Sequence, residues 1–217
     1  TDSKLLVNID LKDFFPTFTF RRVKGIFRAA GYMEGISTIL ALICTEAPRR
    51  IVKNGDETLY VATGKRCLPQ GSPASPMLTN VACMRLDRRV SGYADANGWR
   101  YSRYADDLSF SAPAGVAAAP NEKALLDFLA MVMKEEGLNI HPGKTTIRKE
   151  GQRQEVTGLI VNGKGNARVP KKVRRMLRSA LYNAKAGKEV ENSYNLTQLM
   201  GYGAFVHATD MEQGKKW

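Results

Sequence analysis

The chain has 217 residues, 43% hydrophobic and 25% charged, so it is long enough to bury a core and does not have the composition of a disordered sequence. Its 33 basic and 21 acidic residues give a formal net charge of +12, which favours a polyanionic partner, nucleic acid before an anionic membrane. Three cysteines at irregular spacing and two histidines argue against a disulfide framework or a zinc site, and no apolar run is long enough to span a membrane. We therefore expect a cytoplasmic protein.

The first half of the chain alternates short strands with helices. KLLVNIDL predicts a buried strand that ends at Asp10, and Thr19 predicts the cap of a helix that runs to about Ala30. ISTILALICTEA predicts a second helix, largely buried, and NGD predicts the turn of a hairpin over 49–65. The Pro/Gly/Ser loop LPQGSPASP then leads into a predicted long helix over about 76–93.

The next segment places two adjacent aspartates between strands. WRYSRYADDLSFSA predicts a pair of strands around Asp106 and Asp107. PAGVAAAPNE predicts a linker, and Asn121 predicts the cap of a helix that ends at Gly137. LNI and VTGLIV predict two further strands.

The last fifth of the chain is basic and helical. RVPKKVRRMLR contains six basic residues and no acidic one, and it predicts a helix to about residue 186, followed by another over 195–209. Strands mixed with helices, followed by this tail, predict an α+β fold with one domain over 1–166 and a small helical domain over 167–217.

The paired aspartates need a reason, because Asp is depleted from strands. A solvated tight turn is one explanation. If the hairpin pairs with the first strand, Asp10 joins Asp106 and Asp107 at one edge of a sheet. Three converging carboxylates repel one another unless cations neutralise them, and Mg²⁺ prefers such oxygen ligands. Two such ions can bind the attacking and leaving oxygens of a phosphoryl displacement, so a nucleotidyl-transfer site is the other explanation.

Five motifs in chain order carry a family resemblance. YADD resembles the YxDD signature of reverse transcriptases, NIDLKDFFPTF resembles their first catalytic motif, and LPQGSPASP resembles their second. HPGKTTI resembles the lysine-bearing motif that follows, and VTGLIVN the primer-grip region. Among reverse transcriptases, the chain most resembles the bacterial retron enzymes, which carry a Val-Thr-Gly element at the position of Val156, Thr157 and Gly158. Group II intron and other bacterial enzymes share most of these motifs, whereas RNA-dependent RNA polymerases typically have Gly before the two aspartates.

The resemblance implies a polymerase right hand: a palm with an antiparallel sheet backed by helices over 1–166, followed by a small helical thumb over 167–217. Asp10 and Asp106 are then expected to bind two Mg²⁺ ions, with Mn²⁺ as an alternative. Asp107 completes the acidic cluster, and the backbone carbonyl of Leu11 is a further expected ligand. Lys144 is expected near the triphosphate as the catalytic acid for pyrophosphate; an exposed lysine beside a turn is the alternative.

The resemblance also implies positions that bind nucleotide and nucleic acid. Phe15 lies where the family holds an aromatic ring that clashes with a 2′-hydroxyl, which implies a preference for dNTPs, and Gln70 and Gly71 are expected to flank the nascent base pair. The primer 3′ end is expected to contact four residues, although an ordinary buried strand is the alternative for them: Val156, Thr157, Gly158 and Leu159. Six residues are expected to follow the phosphates of the product duplex: Arg168, Lys171, Lys172, Arg174, Arg175 and Arg178.

The expected partners are an RNA template and primer, the RNA–DNA hybrid and dNTPs, without a membrane. A retron enzyme implies in addition a dedicated structured non-coding RNA and an effector protein in phage defence. Only nine residues precede Asp10, so the family's fingers are expected in a longer protein or in another chain. The alternatives are a maturase-like intron enzyme and an RNA-binding scaffold without catalysis, against which the intact acidic triad argues.

Overall fold

The structure is a computed structural model that describes residues 3–113, 120–162, 166–187 and 194–211. Most of the predicted linker after Pro113 and parts of the predicted thumb lie outside the described residues. By their contacts, the described residues form two units. The larger lies within Val7–Phe110 and Ala118–Thr146, and the smaller within Thr1–Leu6, Ser111–Ala117 and Ile147–Trp217.

Helices and strands are mixed throughout the described part of the chain, as predicted for an α+β fold. The strands are β1 (Ser3–Lys12), β2 (Arg49–Asn54), β3 (Glu57–Ala62), β4 (Arg100–Tyr104), β5 (Asp107–Pro113), β6 (Asn139–Ile140), β7 (Thr146–Lys149), β8 (Glu155–Val156) and β9 (Leu159–Ile160). The helices are α1 (Phe14–Thr17), α2 (Phe20–Ala29), α3 (Glu34–Cys44), α4 (Ser75–Ala82), α5 (Met84–Ala96), α6 (Glu122–Glu136), α7 (Lys171–Lys185) and α8 (Leu196–Thr209).

A five-stranded sheet with the order β4-β5-β1-β6 organises the fold, and β7 pairs with β1 as well. β1 and β6 are antiparallel, with Leu11 opposite Ile140. Alternation along β1 buries Ile9 and Leu11 on one face and leaves Asp10 on the other, because successive side chains of a strand point to opposite faces. The sheet therefore has a buried apolar face and a face that bears polar groups.

Helices α5 and α6 cover the apolar face of this sheet. α5 contacts β4, α6 contacts β6, and the two helices pack on each other, with the rings of Tyr93 and Phe128 stacked at 3.9 Å. The buried side chains from the strands and these helices form the core: Ile9, Leu11, Leu86, Val90, Leu108, Phe110, Leu125, Leu129, Val132 and Met133. As predicted, Asn121 caps α6, since its side chain accepts a hydrogen bond from the Ala124 N–H at 3.1 Å.

The smaller unit contains a second core beneath its two helices. Val169, Leu177, Leu199 and Val206 are buried together, and α7 and α8 pack on each other. Asn195 and Gln198 form a reciprocal capping box at the start of α8, because each side chain accepts from the other residue's backbone N–H. Both helices occupy the segments that their sequences predict.

Several predictions about individual helices were wrong in detail. α3 is not largely buried: only Ser37 and Ala41 are, while Ile39 and Ile43 are among its exposed side chains. The long helix predicted over 76–93 is divided into α4 and α5 at Cys83, whose backbone leaves helical geometry at φ −90° and ψ 1°. Thr19 precedes α2 as predicted, but its side chain makes no capping hydrogen bond.

VTGLIV is not one strand either, which also removes the alternative of an ordinary buried strand for this segment. β8 and β9 form a small antiparallel hairpin in which Val156 pairs with Leu159, and Thr157 and Gly158 form its two-residue turn. The reason is backbone conformation: Thr157 has φ 46° and Gly158 has φ 82°, values that an extended strand does not contain. The hairpin predicted around NGD is present as β2 and β3.

Among the described residues, no helix combines the length and the apolar character that crossing a bilayer requires. This agrees with the sequence, in which charged residues interrupt every apolar run.

Candidate active site

The three aspartates come from two neighbouring strands of the main sheet. Asp10 lies near the end of β1, and Asp107 begins β5 directly after the turn formed by Ala105 and Asp106. Alternation puts Leu108 and Phe110 in the core and Asp107 on the opposite face, as it does for Asp10 beside Ile9. The expected convergence at one edge of the sheet is therefore what the strand order produces.

Backbone hydrogen bonds fix the strands that carry these residues. The Leu11 N–H donates to the Asp106 carbonyl at 3.0 Å, which ties β1 to the turn. The Asp10 carbonyl accepts from the His141 N–H at 2.8 Å, which ties β1 to the segment after β6. Asp10 and Asp106 thus lie on one hydrogen-bonded frame, with little freedom for their backbones to separate.

The electrostatics also indicate that the three carboxylates are neighbours. Burial raises the pKa of Asp107, the negative charges of Asp106 and Asp10 raise it further, and Lys144 lowers it. Lys144 Nζ donates to Asp10 Oδ2 at 3.0 Å, and this hydrogen bond raises the pKa of Lys144. Lys144, predicted at the triphosphate, is thus paired with the first aspartate at the end of a turn that starts at His141.

The donor set fits a hard divalent cation in its chemistry, since carboxylate oxygens are the ligands that Mg²⁺ prefers. The repulsion that raises the pKa of Asp107 is the kind that a cation relieves. In the described residues, however, no three His, Cys, Asp or Glu side chains are drawn together closely enough to enclose an ion, and Lys144 binds Asp10. Metal binding by Asp10, Asp106 and Asp107 therefore stays a prediction.

An ion pair behind the turn was missed by reasoning from the sequence. Tyr101 and Arg103 of β4 lie on the helix side of the sheet. Arg103 binds both carboxylate oxygens of Asp87 on α5: Nε donates to Oδ1 at 2.8 Å, and Nη2 donates to Oδ2 at 2.7 Å. Tyr101 Oη donates to Asp87 Oδ1 at 2.8 Å, and Arg103 Nη1 donates to the Ala105 carbonyl at 3.1 Å. The alternation of YSRY indicates that Tyr101 and Arg103 share one face of the strand, but it does not indicate their partner on α5.

This group is partly buried, and Arg103 is its most buried side chain. The Arg103 side chain is only 5% exposed, and its hydrogen bonds to Asp87 raise its pKa. Burial raises the pKa of Tyr101, and the charge of Asp87 raises it further. Arg103 is therefore cationic and Tyr101 is a neutral donor across the accessible pH range.

The residues predicted to bind the nucleotide lie in two places: Phe15 is in α1, and Gln70 and Gly71 are in the loop before α4. Phe14 is buried, whereas Phe15 is half-buried, and the centroids of their two rings lie 5.5 Å apart in an edge-to-face arrangement. Gln70 and Gly71 are exposed, and Gly71 has φ 86°, with nothing within 4 Å of the place where a Cβ would lie. Backbone conformation alone thus favours glycine there.

The residues predicted to grip the primer lie on the hairpin β8–β9. Thr157 and Gly158 are exposed at its turn, and Val156 and Leu159 are half-buried. Just before it, Gln154 is fully buried: its Oε1 accepts from Ser3 Oγ at 2.7 Å, and its Nε2 donates to the carbonyls of Ser3 at 3.1 Å and Arg148 at 3.3 Å. No pattern in the sequence predicted this anchor.

The predicted phosphate-binding residues lie on or next to α7. The first turn of this helix contains no acidic residue, and Lys171, Arg175 and Arg178 follow one exposed stripe opposite buried Leu177. Lys172 is also exposed and Arg174 is half-buried, while exposed Arg168 donates from Nη2 to the Asn162 carbonyl at 2.8 Å. The helix therefore presents a cationic surface.

Comparison with known proteins places this arrangement in a family. Residues 1–162 match the family model described as reverse transcriptase (RNA-dependent DNA polymerase). The retron Mx162 reverse transcriptase of Myxococcus xanthus is 46% identical over 97% of this chain and 46% of its own length. The retron Ec86 reverse transcriptase of Escherichia coli is 31% identical over 99% of this chain and 58% of its own length. The chain thus spans about half the length of the curated relatives it matches.

A solved structure supports the fold independently. Apo telomerase from Candida tropicalis, truncated from its C-terminal domain, aligns with a TM-score of 0.50 over 75% of this chain and 34% of its own, at 12% identity. At that identity the likeness concerns the fold alone, and it agrees with the α+β, palm-type fold predicted from the motifs. The family model covers most of the chain, including all three aspartates. The chain therefore belongs to the reverse transcriptase (RNA-dependent DNA polymerase) family.

Proposed function

We propose that this chain contains the polymerase centre of a retron-type reverse transcriptase, which extends a primer with dNTPs on an RNA template. The observation that carries the proposal is the frame of Asp10, Asp106 and Asp107 on adjacent strands, joined by the hydrogen bond from Leu11 to the Asp106 carbonyl. A pure scaffold has no need for three mutually repelling carboxylates. Similarity to two retron enzymes supports the retron type over group II intron-like enzymes.

In this proposal the carboxylates of Asp10, Asp106 and Asp107 hold two Mg²⁺ ions, with the Leu11 carbonyl as a further ligand. Bound at these carboxylates, such ions would supply Lewis-acid chemistry, which favours the attacking alkoxide of the primer and the negative charge that develops on the phosphates. Lys144 then exchanges its bond to Asp10 for the triphosphate and donates a proton to the pyrophosphate that leaves. The hydrogen bond to Asp10 raises the pKa of Lys144, so Lys144 is an ammonium ion as long as that bond is present.

The remaining residues bind and orient the substrates. Phe15 excludes a 2′-hydroxyl, Gln70 and the backbone at Gly71 contact the nascent pair, and the turn of the hairpin β8–β9 supports the primer end. The cationic stripe of α7 follows the phosphates of the RNA–DNA hybrid, and each contact releases a counterion, so binding should weaken steeply with salt. The template is a structured non-coding RNA, and an effector protein completes a system of phage defence.

The proposed palm (1–166) and thumb (167–217) divide the chain by function. Palm residues carry the acidic centre, and thumb residues carry the cationic surface. Separating the two roles predicts that charge removal on α7 weakens binding of the primed duplex without altering the chemistry at the aspartates. Neutralising Arg175 and Arg178 together tests this division.

Primer extension tests the proposed function. The full chain is incubated with a primed RNA template, dNTPs and Mg²⁺, and Asp106→Asn serves as the blank. We expect extension that the substitution abolishes, because one metal-binding carboxylate is lost while the size of the side chain is kept. Binding of the primed duplex without extension, in a chain shown to be folded, would mean that the palm and thumb residues need the family's fingers for activity. If such a chain also failed to bind Mg²⁺, the scaffold would be favoured.

A further inference from the structure

The arginine behind the catalytic turn has a role that the family motifs do not assign. Arg103 is almost fully buried, yet only two of its three guanidinium nitrogens are used for its ion pair with Asp87. The third, Nη1, donates to the carbonyl of Ala105, the residue just before Asp106. A buried ion pair alone is weak evidence for added stability, because desolvation offsets most of the attraction. The contact with the turn calls for another explanation.

Ala105 is held in a backbone conformation that alanine disfavours. Its φ is 50°, in the left-handed region, where an L-residue with a Cβ is strained. Strain of this kind persists only where the surroundings hold it in place. The Arg103 hydrogen bond does so by fixing the direction of the Ala105 carbonyl.

Both peptide planes that flank Asp106 are therefore fixed from outside the turn. The plane before it is bound through the Ala105 carbonyl to Arg103, and the plane after it through the Asp106 carbonyl to the Leu11 N–H. Leu11 follows Asp10 in β1, so the hydrogen bond from Leu11 sets the position of the turn relative to the first aspartate. The hydrogen bond from Arg103, which also binds Asp87, sets its position relative to helix α5.

We propose that Arg103 and Asp87, with the hydroxyl of Tyr101, are positioning residues that set the orientation of Asp106 and Asp107 for nucleotidyl transfer. The inference rests on the proposed function. Arg103 lies on the helix side of the sheet and donates its hydrogen bonds to Asp87 and to the Ala105 carbonyl, so it acts through the backbone of the turn. Its planar fork matters, because a lysine offers a single charged nitrogen that cannot bind Asp87 with two bonds and Ala105 as well.

The test compares Arg103→Lys with a matched control, Arg89→Lys. Arg89 also binds carboxylates with two nitrogens, Nη1 to Glu136 at 3.1 Å and Nη2 to Glu135 at 2.5 Å, but it joins α5 to α6, away from the turn. Two readouts are taken on the full chain. One is amide hydrogen exchange of the peptide over 101–110, and the other is kcat and the dNTP KM in primer extension.

In Arg103→Lys we expect about fivefold faster exchange in the turn peptide, and kcat about tenfold lower with the dNTP KM within about twofold. Arg89→Lys should leave the turn exchange and kcat unchanged. If Arg103→Lys behaves like Arg89→Lys in both readouts, the positioning role is overturned and the pair is only structural. If the wild-type chain extends no primer, the proposed function fails for this chain, and the exchange comparison alone decides whether Arg103 holds the turn.

Tyr101→Phe covers the case in which Arg103→Lys does not fold. It keeps the ring that stacks on Phe110 at 5.1 Å and removes only the hydroxyl that binds Asp87. We expect kcat about threefold lower and intermediate turn exchange. Wild-type values in both readouts would overturn the role of Tyr101 and, with Arg103→Lys unfolded, that of the whole group.

Discussion

Two of the described hairpins that turn within two residues, β8–β9 and β4–β5, hold their turns in different ways. In the hairpin β8–β9, Thr157 and Gly158 both have positive φ, 46° and 82°, which is the pattern of the type I′ turn that two-residue hairpins favour. In the hairpin β4–β5, Ala105 has φ 50° and is followed by Asp106, with no glycine in the turn. Local sequence explains the first turn. The second depends on a side chain from outside it.

The supports of the two turns differ in the same way. Gln154 anchors β8 at its base through the neutral amide, which bonds Ser3 and Arg148. Arg103 anchors the β4–β5 turn at its tip, through a charged group that bonds the strained residue itself. In the proposed function, the β8–β9 turn supports the primer end, for which an anchored base is sufficient. The β4–β5 turn presents Asp106 and Asp107, for which we propose that the peptide planes are fixed as well.

The largest effect that we predict is slow chemical labelling of Cys83, a buried thiol behind the β4–β5 turn. Burial raises the pKa of Cys83, next to Arg103 and Asp87, to about 11. At pH 8 only about one thiol in a thousand is then ionised, and the thiolate is the reactive form. In a chain that keeps only Cys83, with Cys44→Ser and Cys67→Ser, we expect Ellman's reagent to react at least about 100-fold more slowly than in the denatured chain. Fast labelling of the native chain would show that water reaches this side of the turn.

The next effect concerns the anchor of the other hairpin. Gln154→Leu leaves the Ser3 hydroxyl and the carbonyls of Ser3 and Arg148 without the buried amide as their partner, and we expect the free energy of unfolding to fall by about 2 kcal/mol in urea denaturation. Gln152→Leu is the matched control, because Gln152 is exposed, and it should change stability by less than about 0.5 kcal/mol. Equal losses in both variants would mean that the buried amide is not an anchor.

Much of the candidate site was predictable because its signals are local. Alternating residues on either side of Asp106 and Asp107 indicated a hairpin, and the apolar run before Asp10 indicated the strand beside it. The order of the motifs then identified the family. These features depend on residues close in the chain, which is where sequence patterns carry the most information.

What the sequence could not supply is the pairing of distant residues. Asp87 and Arg103 are 16 positions apart, on a helix and a strand, and nothing in either segment indicates that their side chains meet. Gln154 and Ser3 are 151 positions apart. The exposed apolar face of α3 is a further example. Its composition predicts a buried helix, but the sequence does not show whether another element packs against that face.

A smaller effect tests whether the β8–β9 turn is explained by local conformation alone. Gly158→Ala places a Cβ at φ 82°, in open space, so the cost is backbone strain of about 1 kcal/mol without a clash. Gly201→Ala is the control: Gly201 lies within α8, also in open space and without positive φ, and alanine there should stabilise the chain by about 0.5–1 kcal/mol. Changes of opposite sign in the free energy of unfolding, measured by heat or urea, would confirm that backbone conformation is the cause. A stabilising effect of Gly158→Ala would contradict it.

The smallest effect on stability is expected at the turn that is held from outside. Ala105→Gly relieves the strain of φ 50° but gives the unfolded chain more freedom, and the two terms nearly cancel, leaving a change within about 0.5 kcal/mol. Its effect on activity should depend on Arg103. With Arg103 present the carbonyl stays bound and kcat falls little, whereas in the Arg103→Lys background the glycine adds a second freedom to the turn and lowers kcat further. Coupling of this kind in a double-mutant cycle is expected only if both residues act on the same peptide plane. If the losses in kcat are additive, the turn keeps its shape without Arg103. The β4–β5 and β8–β9 turns would then differ in sequence, but both would be held by their own backbone.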